Sequence, residues 1–445
     1  MNKNIKEVTV VGAGLAGSEA ALQLAARGVS VRLVEMRSKV QTAVHKTNLP
    51  AELVCSNSFK TTNPNSASGA LKDELEIYGS YLLREAKAVS VAAGGALAVD
   101  RVKFSRRVKE LIDSNPLISY SNEEVTELPL EPCIIATGPL TSDALSDVIA
   151  KECGNDYLAF FDAAAPIIEA DSIDMEVVFA QSRYGHGGSA DYLNAPFNKE
   201  QYESFYNELI CAERVIEKDF ERKELFAACQ PLEEVARTGI DALRFGALKP
   251  VGITDPKTGK RPYAAVQLRA ENKEASAYNL VGFQTNLKFP EQKRLFRMIP
   301  GLENAEFARF GVMHRNTFID SPHCLSNTFA LPNKPHVHFA GQLTGTEGYC
   351  EAIASGLYMA LVLYAELKGF PAPFLPNETM FGSLLAYATD PIVQDYQPMH
   401  VNYGILKPIK PHIKKKVERH AANANRARKC AQIFVDNNQE LFPAK

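Results

Sequence analysis

No stretch of the 445 residues approaches the ~18 consecutive apolar residues of a membrane-spanning helix, so no span is expected. The opening segment MNKNIKEVTVVGAG has no separate apolar region ahead of a cleavage site, and no secretory signal is expected there. The eight cysteines form no CxxC pair and no dense framework, which argues against a disulfide scaffold and fits thiols in a reducing cytosol. Neither sign of charge dominates: 49 Lys+Arg against 52 Asp+Glu gives a net charge of −3. That balance excludes a whole-surface basic coat for nucleic acid, while leaving room for a local basic patch. Internal repeats and low-complexity tracts are absent as well.

What remains is the composition of a soluble globular protein, 46% hydrophobic and 23% charged. At ~150 residues per domain the length suggests two or three domains. Residues 8–35 read as strand, glycine turn, helix, strand, with VTVVG and VRLVE as the strands and Gly28 as helix stop. Such alternation predicts a parallel α/β sheet. A long polar stretch from Arg37 to Gly69 follows, then a helical pattern over 70–87, and CIIATG at 133–138 reads as a buried strand ending in a turn. Beyond Tyr157 the texture changes to strand-like runs, FFDAAAPIIEA and MEVVFAQ, and an amphipathic helix over 199–222. The α/β texture returns with HVHFAG at 336–341 and a helical stretch over 350–368. The expected architecture is a discontinuous, glutathione-reductase-like Rossmann FAD-binding domain (1–160 and 326–445) with an inserted α/β domain at 161–325.

The sharpest local signal is Gly12-Ala13-Gly14-Leu15-Ala16-Gly17, a GxGxxG placed directly after a strand and opening a helix. Gly12 permits the tight turn, Gly14 lets a pyrophosphate approach the backbone, and Gly17 allows close helix–strand packing. The helix N-terminus presents unpaired N–H groups to the phosphates. Glu35, ending the next strand, stands where a carboxylate accepts a ribose 2′-OH, and a Glu there disfavours a 2′-phosphate. The motif alone does not choose between NAD and FAD. Ile134-Ile135-Ala136-Thr137-Gly138 resembles the second, ATG-type segment of glutathione-reductase-like flavoproteins, and Ala340-Gly341-Gln342 their late segment, where backbone meets the flavin end. Their order along the chain favours FAD. A second GxGxxG is absent, so a nicotinamide would bind without its own Rossmann domain.

Cys55 lies in the long polar loop and Cys229 just before Gln230-Pro231. Free cysteines are usually packing residues, and Cys133, Cys153, Cys211 and Cys430 are read as core. His336 and His338 have no matching acidic or thiol cluster, and no metal site is expected. Gly311-Val312-Met313-His314-Arg315-Asn316 concentrates groups able to stack on and hydrogen-bond a flat heterocycle, or simply to form a loop network; Arg183 to Gly188 is similar. Between Lys407 and Lys429 stand nine Lys/Arg and one Glu, among them Lys414, Lys415, Lys416 and Arg419. Such a run reads equally as a solvated helix face or as a phosphate-backbone contact that positions RNA without reading its sequence.

Taken together, VVGAGLAGSEAA, ELVCSNS, ALAVDR, CQPLEE, DALRFGALKPVGI, GVMHRNTFI, AGQLTGTEGYCEAIASGL and QPMHVNYGIL resemble, nearly end to end, the bacterial folate- and FAD-dependent tRNA (uracil-5-)-methyltransferase family. ELVCSNS and RFGALKPVG are far more specific than the glycine fingerprint. The resemblance implies transfer of one carbon from 5,10-methylenetetrahydrofolate to C5 of the T-loop uridine at position 54 of tRNA. It further implies reduced FAD as hydride donor and NADH or NADPH as reductant of the flavin. It implies Cys229 as nucleophile toward C6 of the uracil and Cys55 as its partner at C5, with the two roles open to exchange. His314 would hold the pterin against the flavin; Gly12 to Gly17 and Glu35 would hold FAD, with Gly341 and Gln342 near the flavin end. A thiol of pKa ~8.5 is little ionised at neutral pH, so an electropositive site is expected. Two departures stand out: Leu193-Asn194-Ala195-Pro196-Phe197 where relatives often have a cysteine, and Cys350 where an aliphatic residue is usual. The rival readings are the same chemistry on a 23S ribosomal RNA uridine, an FAD-dependent oxidoreductase of a small metabolite, and a non-catalytic RNA-binding flavoprotein.

Overall fold

The computed structural model describes residues 7–42, 44–154, 157–185, 191–216, 230–394 and 396–442, with backbone alone at 157–162, 185, 314 and 315. Its first sheet runs Ala330–Leu331, Lys334–Phe339, Cys133–Ile135, Val8–Val11, Val31–Glu35, Ile118–Asn122 in spatial order. All neighbours are parallel except the Ala330–Leu331 edge, and Val11 lies opposite both Val34 and Ile135. The β-branched run VTVV is buried on both faces, as a parallel strand covered by helices requires.

The helix Leu15–Ala26 has small and apolar residues on almost every side because it lies between this sheet and the helix Tyr349–Lys368. Gly356 permits that crossing: a Cβ there would stand 2.0 Å from the Ala16 carbonyl oxygen. The Tyr349–Lys368 helix is long and apolar enough to cross a membrane by composition, yet 83% of its most apolar window is buried inside the protein. Its apolarity therefore serves the core.

The second sheet is assembled wholly between strands of the first. Its order is Phe179–Ala180, Tyr192–Phe197, Ala264–Ala270, Ala277–Leu280, Ile167–Glu169, Phe307–Arg309, and all its pairings are antiparallel. Lys199–Cys211 and Phe289–Phe296 pack with it around Phe197, Phe205, Phe283 and Phe296, a hydrophobic cluster separate from that of the parallel sheet. A two-stranded ribbon, Tyr157–Ala163 with Met313–Ile319, lies where the chain passes between the two sheets. A small sheet of Ser58–Thr61, Ala96–Val99 and Ser90–Val91 closes the other side.

Several expectations change in detail. The helix over 70–87 is two helices, Ala67–Ile77 and Tyr81–Ala88, broken at Gly79 with φ +76°. MEVVFAQ contributes only the two-residue strand Phe179–Ala180. The amphipathic helix ends at Cys211, which is exposed rather than core, whereas Cys324 and Cys350 are buried. His338 is a satisfied core histidine between the Thr328 carbonyl and the Glu366 carboxylate.

Candidate functional site

The glycine turn assigns each of its glycines a different task. Gly12 has φ +97°, and a Cβ there would stand 2.6 Å from the Ala136 carbonyl oxygen; at Gly17 it would stand 1.8 Å from that of Gly12. At Gly14 a Cβ would meet nothing within 4 Å. Gly14 is also the N-cap of the helix, and no side chain caps it. The first N–H groups are thus left without helix partners and face an open cleft lined by Gly12, Gly14, Glu35, Val125, Thr137 and Leu145. These residues fit a dinucleotide: bare backbone where a pyrophosphate passes, and an acid where its ribose would sit.

That acid is held firmly. Glu35 Oε2 accepts from the Ala13 N–H at 2.9 Å, and Arg37 Nε lies 3.0 Å from Oε1. Burial pushes the carboxyl up, but the Arg37 charge and the Ala13 and Arg37 N–H groups outweigh it and hold Glu35 below the usual carboxylate range. Arg37 reaches on to Glu52 at 3.4 Å, whose oxygens accept from the backbone of Lys46 and Thr47. One buried arginine thereby ties the end of the second strand to the loop that leads to Cys55. Gly341, with φ +76°, opens the turn after Lys334–Phe339 and donates its N–H to Ser355 Oγ at 2.8 Å. A Cβ on Gly341 would come within 2.9 Å of that of Ala16, so this turn lies against the start of the first helix. The neighbouring Gln342 amide donates to Glu347.

The Cys55 loop is fixed from below by a phenol. Tyr349 Oη accepts from the Cys55 and Ser56 N–H groups, each at 3.1 Å, and donates to the Ser56 carbonyl at 2.9 Å. Cys55 is half-buried, with Sγ 3.8 Å from the Ala163 carbonyl oxygen. Three arginines from distant parts of the chain converge here. Arg101 donates to the Leu53 carbonyl at 2.9 Å, Arg269 to Asn57 Oδ1 at 2.8 Å, and Arg309 toward the Cys55 carbonyl at 3.4 Å. Glu271, paired with Arg101 at 2.6 Å, is the carboxylate that meets them. Burial, followed by the neighbouring Arg101 charge, pushes the Arg309 guanidinium down to about 10. Around Cys55 three guanidinium groups thus converge with the one carboxylate of Glu271.

Other expected residues are placed less completely. His314 lies on the Met313–Ile319 strand opposite Asp162, and its side chain is outside the described residues. Cys229 falls in 217–229, and His186 to Gly188 in 186–190, both outside the described residues. The chain on either side of Cys229's segment meets one network. Asn286 Oδ1 accepts from Ile216 N–H at 3.1 Å, while Glu233 accepts from Asn286 N–H at 2.6 Å and Thr285 Oγ1 at 3.0 Å. In the basic run, Lys414, Lys415 and Lys416 are exposed at the start of the helix Lys416–Asn437, with Lys415 paired to Glu418. Arg419 instead turns its guanidinium onto the carbonyls of Ile413 and Lys414. Arg428 is likewise engaged by Asp73.

Arg37, Arg101, Arg269, Arg309 and Tyr349 were not singled out by sequence. Arg37 could have been, standing two residues beyond the strand-ending acid; the others carry no local signal.

Comparison with known proteins agrees with this geometry. The family model described as "GIDA: Glucose inhibited division protein A" matches residues 7–371. A protein of Acetivibrio thermocellus named methylenetetrahydrofolate--tRNA-(uracil-5-)-methyltransferase TrmFO is 51% identical over 97% of this chain and 99% of its own. Proteins of that name from Thermotoga maritima and Bacillus mycoides are 50% and 49% identical over 97% and 96% of this chain and 99% of theirs. Among solved structures, GidA of Aquifex aeolicus superposes with TM-score 0.69 at 15% identity, covering 99% of this chain and 76% of GidA, which shows a shared fold. With about half of all positions identical over nearly the full length of both chains, the chain belongs to the TrmFO family.

Proposed function

We propose that the protein is a flavin-dependent methyltransferase that forms 5-methyluridine in the T loop of tRNA, at position 54. Its carbon donor is 5,10-methylenetetrahydrofolate, and NADH or NADPH is the reductant. The observation that carries the reading is the Cys55 loop, pinned by Tyr349 and surrounded by Arg101, Arg269 and Arg309, beside an intact dinucleotide turn.

C5 of uracil becomes nucleophilic only when a thiolate has added to C6. Cys229 is assigned that addition. C5 then forms the bond to the one-carbon unit, and Cys55 takes the C5 proton. The bond from that carbon to the folate nitrogen breaks with release of tetrahydrofolate, and elimination of the Cys229 sulfur as hydride reaches the methylene carbon restores the ring. When bound, reduced FAD supplies the hydride that turns methylene into methyl. Gly12 to Gly17 and Glu35 would hold its pyrophosphate and ribose, and Gly341 and Gln342 border its flavin end. His314 is assigned to the face of the pterin. Lys414, Lys415, Lys416 and Arg419 are assigned to tRNA phosphates, Arg419 while its Nη1 also holds the Ile413 and Lys414 carbonyls. Residues 1–160 and 326–445 form the flavin domain and 161–325 the insert. The reaction as written requires no metal ion, and its substrates place it in the cytoplasm.

The test offers labelled methylenetetrahydrofolate, FAD and NADPH with unmodified tRNA and, in parallel, a 23S ribosomal fragment. Label in T-loop 5-methyluridine, abolished by Cys229→Ala, is the expected result. Label confined to the ribosomal fragment would move the acceptor. Flavin reduction without label in either RNA would sink the methyltransferase reading in favour of a small-molecule oxidoreductase.

A further inference from the structure

Beside the antiparallel sheet lies a basic, ring-bearing face that the reaction as assigned leaves unused. Between Arg237 and Arg261 stand six cations, Arg237, Arg244, Lys249, Lys257, Lys260 and Arg261, against two acids, in a chain of net charge −3. The two acids do not quench the run. Asp241 is occupied by Arg244 at 2.5 Å, and Asp255 is buried in its own turn, accepting from the Lys257 N–H and Thr258 Oγ1. Lys249, Lys260 and Arg261 are exposed, and among the described residues no carboxylate pairs with them.

Rings stand among these charges. Phe245 ends the one-turn helix Ala242–Phe245 and is 82% exposed. Leu243 of the same turn is fully buried in the core of the antiparallel sheet, so the turn is anchored while its last ring faces outward. Among the described residues Phe245 joins no hydrophobic cluster. Tyr184, 64% exposed with φ +56°, lies against Gly252, where a Cβ would come within 3.0 Å of its ring. Backbone contacts knit the face together. Arg183 donates to the carbonyls of Lys249 and Val251, which sets Tyr184 beside the Phe245–Lys249 stretch. Arg244 donates to the Tyr263 carbonyl at 3.0 Å and lies 3.7 Å over that ring, which brings Arg261 to the other flank.

Separated rings among unpaired cations suit an RNA strand, whose unpaired bases offer π faces and whose phosphates offer charge. An anionic membrane would instead call for a continuous apolar stripe, and here cations interrupt the rings. Position agrees. The helix Leu232–Arg237, ~9 Å long, joins this face to Gln230, where the described chain resumes after the Cys229 segment. That length is about three rises of ~3.4 Å along a nucleic-acid strand. Nucleotides next to a uridine attacked by Cys229 are therefore within reach.

We propose that Phe245, Tyr184, Lys249, Lys260 and Arg261 form a second contact surface for the substrate RNA, on elements remote from the 414–416 lysines. Phe245 stacks on an unpaired base near the target uridine, and the three cations hold the flanking phosphates. This rests on the functional reading above, which supplies the RNA but no contact on this face.

The test uses the FAD-loaded enzyme with a fluorescein-labelled T-arm hairpin, read by anisotropy for binding and by labelled methylenetetrahydrofolate for methyl transfer. Phe245→Ala is expected to weaken binding about tenfold, equivalent to ~1.4 kcal/mol, with the salt slope unchanged. Phe245→Trp should restore affinity. Lys249/Lys260/Arg261→Ala should instead reduce the slope of log affinity against log salt by about 2. All four side chains are exposed, so flavin content and melting temperature should stay at their wild-type values. Should the wild type methylate the hairpin while Phe245→Ala binds it equally well, the stacking role fails and the functional reading stands. An unaltered slope in the triple variant would remove the cations from the interface. If the wild type binds the hairpin through Phe245 yet methylates no RNA, the face stands and the functional reading fails. Binding to phosphatidylserine vesicles but to no RNA, lost in both variants, would overturn the proposal in favour of a membrane surface.

Discussion

Replacing Gly14 by alanine separates the fold from the flavin. Gly14 has φ −71° and ψ −165°, an extended conformation open to any residue, and an added Cβ meets no protein atom within 4 Å. Alanine is a poorer N-cap than glycine by roughly 0.5–1 kcal/mol, while its stiffer unfolded chain returns about 0.4–1 kcal/mol. The flavin-free protein should therefore melt within about 3 °C of the wild type. The methyl group, however, projects into the cleft where the pyrophosphate must approach. Overpacking of that kind costs ~1–3 kcal/mol, which weakens FAD binding roughly 5- to 150-fold. Gly17→Ala is the control: its Cβ would sit 1.8 Å from the Gly12 carbonyl oxygen, which is backbone and cannot yield, so it should destabilise the protein with or without flavin. The assay is flavin fluorescence titration of deflavinated protein, with thermal melts of the same preparations. Wild-type FAD affinity in Gly14→Ala would refute the path of the pyrophosphate over this residue. Equal destabilisation by the two variants would refute the division of labour within the turn.

Three further outcomes follow from the geometry. Tyr349→Phe removes the acceptor shared by the Cys55 and Ser56 N–H groups, so methyl transfer should fall about 10- to 100-fold while flavin content is kept, as read by single-turnover labelling. An unchanged rate would show that the loop needs no phenol to hold its shape. Lys414/Lys415/Lys416→Ala should reduce the slope of log affinity against log salt for tRNA by about 2, and an unchanged slope would remove these lysines from the interface. Glu74 is buried beneath the helix Met380–Ala388, accepting from the Met380 and Phe381 N–H groups, and burial pushes its carboxyl from 4.5 to about 8. The folded protein therefore holds a proton that the unfolded chain releases. This group's contribution is full below pH 4.5 and is lost as pH rises through about 8, on the order of 5 kcal/mol in all. Glu74→Gln should flatten the decline in denaturant-measured stability between pH 5 and 8, and an unaltered slope would place Glu74's proton elsewhere.

The nucleotide half of the site was legible because its signals are local. Turn, helix and acid lie within residues 8–35, and each glycine has a steric reason that a single sequence exposes. From physical signals alone the Cys55 loop was legible as an anomaly, a polar stretch too long for a compact domain, and only the resemblance of ELVCSNS pointed to its cysteine. What holds it was hidden, since Arg101, Arg269, Arg309 and Tyr349 reach it from four elements widely separated along the chain. An arginine in FARFG reads as a surface residue until the fold buries it. The break at Gly79 was missed for a related reason: the apolar pattern continues through it, and only the positive φ of that glycine turns the chain. The basic run misled in the opposite sense. Its nine cations look equivalent in sequence, but Arg419 and Arg428 also hold backbone and carboxylate partners, Lys415 and Lys407 pair with Glu418 and Glu378, and Lys414 and Lys416 are exposed.

The arrangement around Arg37 indicates why the two halves occur on one peptide. Glu35 is proposed to meet a ribose as a carboxylate, and Arg37 holds it below the usual carboxylate range despite burial. The same guanidinium pairs with Glu52, three residues before Cys55, and Glu52 gathers the N–H groups of Lys46 and Thr47. The backbone that carries Cys55 and Lys46 is thus anchored to Glu35, the acid proposed to meet the ribose. Neutralising Arg37 would strand the buried Glu35 carboxylate and unpair the half-buried Glu52, so a change there disturbs the end of the second strand and the Cys55 loop together. Among the described residues of 37–58, Val44, Ala51 and Leu53 are the buried hydrophobic side chains, so the ion pairs from Arg37 to Glu35 and Glu52 add a polar anchor where little apolar surface is available.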